Sequence, residues 1–170
     1  MDDPPGVVEF CGRMRPRLVG ALSLYCGDRG VAEELAQETL IRVWDRWAQV
    51  AAMAAPEAWT NRVAFNLANS LLRRRGAERR ALARAKLRTD DRYDNPDTPA
   101  RMAALAALAA LPARQRTAIV LRYYVDLSVT QAADVMGCAP GTVKALTHGA
   151  IATLRRSRIL TDPEEVSGVV

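Results

Sequence analysis

Histidine occurs once in this 170-residue chain, cysteine three times, and aromatic residues make up only 5%. His148 has no cysteine or carboxylate at ligand spacing, which argues against a metal site there. No nucleophile–histidine–acid set, phosphate-binding glycine loop or pair of metal ligands is found, so catalysis is not expected and no cofactor is called for. Cys11, Cys26 and Cys138 are odd in number and far apart, which excludes a full disulfide framework and a CxxC-type zinc site. They read as small buried hydrophobes, with redox sensing open only to an exposed thiol of low pKa. No apolar run approaches the roughly 18 residues of a membrane span. The start, Met1-Asp2-Asp3 followed by Pro-Pro-Gly, lacks the basic and apolar regions of a signal peptide, so a reducing cytoplasm is the expected compartment. Alternation of β-branched residues is nearly absent, and alanine and leucine dominate; the chain reads as all-α.

What is present is arginine. The net charge is +5, and only Lys86 and Lys144 of the 24 basic residues are lysine. Residues 1–88 carry 15 Lys/Arg against 10 Asp/Glu, residues 89–100 carry 1 against 4, and residues 101–170 carry 8 against 5. The excess is concentrated from Arg73 to Arg88, with eight basic residues and one acid, Glu78. Arginine suits bidentate contacts to phosphate and guanine, so a polyanion is a candidate partner if other features agree.

The periodicity predicts a first helix over about Val7–Tyr25, kinked or divided at Pro16 because proline lacks an amide donor. Gly27 is expected to close it and Asp28 to cap the next helix, about Val31–Trp47. In that helix Val31, Leu35, Ala36, Leu40, Val43, Trp44 and Trp47 form an apolar stripe, so Trp44 and Trp47 are expected in the core. Pro56 opens a third helix to about Arg75, with Trp59, Val63, Leu67 and Leu71 expected to face the core and Gly76 a candidate interruption. Thr89–Pro99, TDDRYDNPDTP, reads as an acidic linker. Helices are then expected over Ala100–Ala110 (stripe Met102, Leu105, Leu108), from Pro112 to Tyr124, over Val129–Met136 capped by Ser128, and from Pro140 to about Arg158. The tail, 161–170, is expected to be disordered.

Ser128 to Leu154, SVTQAADVMGCAPGTVKALTHGAIATL, has the pattern of a helix-turn-helix. Small Ala132 and Ala133 let two helices approach, Gly137 permits the tight turn, and a longer helix carries Val143, Leu146, Ala150, Ile151 and Leu154. This geometry presents a helix N-terminus to a DNA major groove.

Over residues 7–160 the chain resembles a minimal, extracytoplasmic-function factor of the RNA polymerase sigma-70 family. Four blocks carry the likeness, in the family's order: AEELAQETLIRVWDRW (Ala32–Trp47), PEAWTNRVAFNLANSLLRRR (Pro56–Arg75), LPARQRTAIVLRYYVDLSVTQAADVMG (Leu111–Gly137) and GTVKALTHGAIATLRR (Gly141–Arg156). The resemblance implies two small helical domains, a region 2 bundle at 1–88 and a region 4 helix-turn-helix at 101–160, joined by a flexible linker at 89–100. It implies binding to the clamp and flap of core RNA polymerase and to promoter DNA. Many such factors are also held by an anti-sigma protein, so that partner is within what the resemblance implies.

The implied polymerase-binding residues are Glu34, Leu35, Gln37, Glu38 and Arg42. The implied −10 contacts are Arg62, Asn66, Asn69 and Ser70 for bases and Arg73, Arg74, Arg75, Arg79 and Arg80 for phosphates. With few aromatics, stacking is a small part of this recognition. The implied −35 contacts are Thr142, Lys144, Thr147 and His148, with Arg114, Arg116 and Arg122 either backbone contacts or solvated. Here the chain departs from the family pattern. Leu146 and Gly149 stand where arginines are often found and Ala139 where a capping serine is usual, so a weaker or different −35 interaction is expected. A competing reading is a stand-alone helix-turn-helix regulator with an N-terminal effector or dimerisation domain.

Overall fold

The computed structural model describes residues 5–84 and 99–156, with the side chains of 79–84 and 99–101 outside the description. The acidic segment 89–98 and the tail lie outside the described residues, so the expectations for them are not met by any observation. Among the described residues every regular element is helical: α1 (Val7–Cys26), α2 (Arg29–Asp45), α3 (Trp47–Ala51), α4 (Pro56–Arg84), α5 (Pro99–Ala110), α6 (Ala113–Ile119), a π-helical turn (Val120–Tyr124), α7 (Val129–Met136) and α8 (Pro140–Arg156). The all-α reading therefore holds.

The chain's punctuation works as local chemistry requires. Gly27 takes a left-handed conformation (φ 75°) after α1, and its amide donates to the Ser23 carbonyl. The Asp28 side chain accepts from the Val31 amide at 3.0 Å and starts α2. Ser128 and Gln131 form a reciprocal capping box at the start of α7, and Gly137 (φ 60°) ends that helix.

Two expected breaks are absent. Pro16 sits inside an unbroken α1. It lies on the solvent face, as does Gly12, whose carbonyl loses its helical donor to the proline; water can satisfy that carbonyl. Met14 and Leu18, fully buried on the other face, hold the helix together. Gly76 does not interrupt α4, which runs on to Arg84. A mid-helix glycine costs only about 1 kcal/mol, and its neighbours are strong helix formers.

Val7, Phe10, Met14, Leu18, Leu22 and Tyr25 line the core face of α1 and meet α2 and α4. The face of α4 differs from the expected one. Thr60, Asn61, Ala64, Phe65 and Ala68 are buried, while Trp59, Val63, Leu67 and Leu71 are only half-buried. Alanines at 64 and 68 let the neighbouring helix backbones come close, and the bulkier stripe packs along the edge. Trp47 begins α3 instead of ending α2; its indole donates to the Pro5 carbonyl at 3.0 Å and its ring packs against Phe10.

The second set of helices has a small cluster of its own, built from Ala107, Leu111, Ile119, Ala150 and Leu154. Its other buried residues join the first core. Val120, Leu121, Ala132, Ala133, Val135 and Val143 form one continuous cluster with Tyr25, Phe65 and the rest of α1, α2 and α4. The contacts that join the two sets run from α4 to α7, and from α1 to α5 and the π turn.

Phe65→Ala should lower unfolding free energy by about 3–5 kcal/mol, whereas Val63→Ala should cost about 1 kcal/mol or less. Urea unfolding followed by circular dichroism checks this, and equal losses would return Val63 to the core.

Candidate nucleic-acid and protein interfaces

On α2, Glu34, Gln37, Glu38 and Arg42 are exposed, three and four residues apart on one face. Arg42 donates to Glu38 at 2.9 Å in an ion pair open to solvent. Leu35 does not belong to this surface. It is 9% exposed and faces inward with Val31, Ala32 and Ala36, so its role is to position the helix. Two residues not assigned to the surface from sequence do belong to it. Ile41 is 48% exposed and Trp44, expected in the core, is 39% exposed. They continue the line from Gln37 and Glu38 at helical spacing, and that spacing was the available signal. This face therefore sets an acidic edge beside exposed isoleucine and tryptophan.

On α4, Arg62, Asn66, Ser70, Arg73 and Arg74 are all exposed. Their steps of four and three draw one polar stripe along the helix, opposite Ala64, Phe65 and Ala68. Arg73 donates to the Ser70 hydroxyl at 3.2 Å, which orients both. Arg75 is half-buried and turns away from the stripe. The side chains of Arg79 and Arg80 lie outside the described residues. Asn69 departs from the expectation: it is half-buried, and its side-chain oxygen accepts from the Tyr25 hydroxyl. Its acceptor is thus committed within the protein.

On the helix-turn-helix, α7 and α8 pack against each other around Ala132, Ala133 and Val143. The solvent face of α8 carries Gly141, Lys144, Ala145 and His148, so Lys144 and His148 are open to a partner. Thr142 and Thr147 are half-buried, and the Thr147 hydroxyl oxygen is enclosed. They are poorer contacts than expected. Gly149 has a structural reason. A Cβ built there would lie 3.0 Å from the Gln115 side-chain nitrogen, so a larger residue at this position requires that side chain to move aside by a few tenths of an ångström.

Arg114 is exposed, which is compatible with either of the two roles named for it, a backbone contact or a solvated side chain. Arg122 turns back on its own loop and donates to the Leu127 carbonyl. Arg116 is a correction. Its guanidinium donates to the Tyr25 carbonyl at 2.9 Å, the Ala109 carbonyl at 2.9 Å and the Leu111 carbonyl at 3.2 Å, and it lies 5.5 Å from the centre of the Tyr25 ring. With these partners it is not free to hold a phosphate. Sequence could not signal this, because all three acceptors are backbone atoms and one is 91 residues away.

Burial raises the pKa of Cys11 and pushes Cys26 up to about 11, with Arg116 and Arg75 opposing the rise at Cys26. Burial likewise raises Tyr25, against a hydrogen bond from Thr117 and the charge of Arg116. Among the described residues no three His, Cys, Asp or Glu side chains gather to hold a metal ion, and no helix is long and apolar enough to cross a membrane.

Two family models match the chain. Residues 11–78 match Sigma-70 region 2, and residues 101–154 match Sigma-70, region 4. The RNA polymerase sigma-E factor of Streptomyces avermitilis is 31% identical over 124 residues, covering 73% of this chain and 69% of that protein. That of Streptomyces coelicolor is 30% identical over 131 residues, covering 77% and 73%. Among solved structures, the sigma factor RpoE of Bartonella quintana, seen with the anti-sigma factor NepR, superposes with a TM-score of 0.75 at 24% identity, covering 91% of this chain and 99% of that one. CnrH, seen with the cytosolic domain of CnrY, gives 0.63 at 23%, covering 88% and 85%. At these identities the two structures speak for the fold.

At pH 8 the Cys26 thiol should react with a disulfide reagent about a hundredfold more slowly in the folded protein than in urea, since raising the pKa from 9.0 to about 11 depletes the thiolate by that factor. A rate equal to that of the unfolded chain would show Cys26 to be accessible and ionised.

Proposed function

The chain belongs to the sigma-70 family, in its extracytoplasmic-function branch, and from that premise we propose which of its surfaces reads which partner. As a sigma factor it directs promoter transcription as part of RNA polymerase, and it is not itself an enzyme. The proposed division is a region 2 module through α4 for core polymerase and the −10 element, and a region 4 module from α5 to α8 for the −35 element.

The exposed stripe Arg62, Asn66, Ser70, Arg73 and Arg74 on α4 carries this reading. A single strand separated from its duplex needs hydrogen-bonding groups for unpaired bases and cations for phosphates. The stripe offers them in that order along the helix. Aromatic side chains are scarce, so the opened strand is held by hydrogen bonds and charge more than by stacking. Glu34, Gln37 and Glu38 with Ile41 and Trp44 form the proposed polymerase-clamp surface, apolar at its centre and acidic at its edge. Lys144, His148 and Arg114 are the proposed −35 contacts, and the region 4 module also meets the polymerase flap. With so few cations on α8, −35 binding contributes little to affinity and depends weakly on salt. An anti-sigma protein is a proposed partner, supported by the anti-sigma complex of RpoE.

The test is reconstitution. The purified chain is mixed with core RNA polymerase, the complex is isolated by gel filtration, and transcription is run on fragmented genomic DNA from the source organism. A stable complex with discrete start sites is expected. A chain that footprints duplex DNA without polymerase would favour a stand-alone regulator. Replacing Arg73 and Arg74 by alanine should abolish promoter opening while leaving polymerase binding within about twofold; equal loss of both would point to a folding role. Charge reversal at Glu34 and Glu38 should weaken polymerase binding about tenfold or more. An unchanged titration would move that interface elsewhere.

A further inference from the structure

Asn69 lies on the edge of the exposed α4 stripe, after Asn66, beside Ser70 and one turn before Arg73. It differs from these neighbours in being held from within the bundle. Its side-chain oxygen accepts from the Tyr25 hydroxyl, which reaches it from α1, 44 residues away in sequence.

Tyr25 has little freedom. It is fully buried, its ring meets Phe65 edge-on at 5.3 Å between centroids, and the Arg116 guanidinium lies 5.5 Å from the ring centre. Burial raises its pKa, so the phenol keeps its proton and remains a donor. A buried phenol proton needs an acceptor. An amide oxygen can take it, whereas an amide nitrogen, with two hydrogens of its own, cannot. The Tyr25 proton therefore decides which way the Asn69 amide faces, with its oxygen inward and its nitrogen turned away. Asn69 is half-buried. With its oxygen against a fully buried side chain, the end that reaches the surface is Nδ2.

A fixed amide limits what Asn69 can read. A free asparagine pairs with adenine through both ends, its oxygen accepting from the N6 amino group and its nitrogen donating to N7. Asn69 keeps only the second half of that pair. Its Nδ2 hydrogens suit a base edge that presents acceptors, such as O4 of thymine or O6 and N7 of guanine. Adenine and cytosine carry an amino donor at the equivalent place, N6 or N4, and would set donor against donor.

We propose that Asn69 is a specificity-determining residue of the α4 stripe, locked by Tyr25 as a hydrogen-bond donor, and that it selects a keto base, thymine or guanine, over an amino base at one position of the opened strand. Tyr25 is a positioning residue, buried away from the nucleic acid and acting through Asn69. The selection rests on the reading of α4 as the −10 reader under Proposed function; the lock rests on the Tyr25–Asn69 contact.

The test uses the full chain assembled with core RNA polymerase and a promoter library randomised across the −10 element. Opened templates are recovered and sequenced, and base preference is scored position by position. The wild type should favour keto over amino bases about tenfold at one position. Tyr25→Phe removes the hydroxyl and keeps the ring contacts. It should reduce that preference to about twofold or less, at that position alone, with polymerase affinity within about twofold of wild type. Asn69→Asp carries acceptors only and should turn the preference toward amino bases. In Asn69→Ala the position should become indifferent, and adding Tyr25→Phe should change it no further, as required of a residue that acts through Asn69.

Uniform loss of opening on every template, with all base preferences intact, would reduce the pair to a packing contact and overturn the proposal. So would a Tyr25→Phe profile identical to that of the wild type, or a further shift when Tyr25→Phe is added to Asn69→Ala. If Asn69→Asp loses helical circular dichroism, Tyr25→Phe decides. Asn66→Ala and Arg74→Ala separate the proposal from the reading beneath it. If these also leave opening and every base preference unchanged, α4 is not the −10 reader and the selection falls with it. If these alter them and the Tyr25 and Asn69 variants do not, the α4 reading stands and the lock alone is overturned.

Discussion

A helix end inside a protein needs hydrogen-bond donors for its last carbonyls, and much of this architecture follows from how α1 and α5 obtain them. Neither supplies a basic residue in its final turn. Both converge on Arg116, whose planar fork can serve several acceptors at once, as a lysine ammonium with its point charge cannot do in fixed geometry. The guanidinium also covers the Tyr25 ring. Tyr25 in turn anchors the α1–α4 contact through Phe65 and Asn69. The position of the second helical set on the first is therefore fixed by directed polar contacts as well as by apolar packing, which alone is non-directional.

Helices α4 and α8 are built on opposite economies of side-chain size. On α4 the small residues, Ala64 and Ala68, are turned inward, which leaves the long arginines and asparagines outside. On α8 small residues occur on both sides: Ala150 is buried, and Gly149 lets the Gln115 side chain of α6 approach. The glycine that costs α8 a cation thus permits close packing of α6 on α8. The family resemblance flagged residue 149 as a departure, and there the glycine leaves room for the Gln115 side chain that a Cβ would narrow.

How much was legible in the sequence depended on the range of the interaction concerned. Asp28, Ser128, Gly27 and Gly137 act on residues within a turn of themselves, and each ended or began a helix where expected. Neither Pro16 nor Gly76 divides its helix, because a local cost of this kind yields to packing of the rest of the helix. The α4 face was rotated from the expected one because ranking by hydrophobicity favours Trp59, Val63, Leu67 and Leu71. Close helix packing instead selected the small residues at 60, 61, 64 and 68, with Phe65 among them. Most of the exposed stripe on α4 was readable from the same periodicity. Leu35 and Trp44 exchanged places, since both lie near the edge of one apolar stripe and only tertiary contacts decide which side is covered. Arg116 was beyond reach: an arginine on a short basic helix looks the same whether it meets phosphate, water or distant carbonyls.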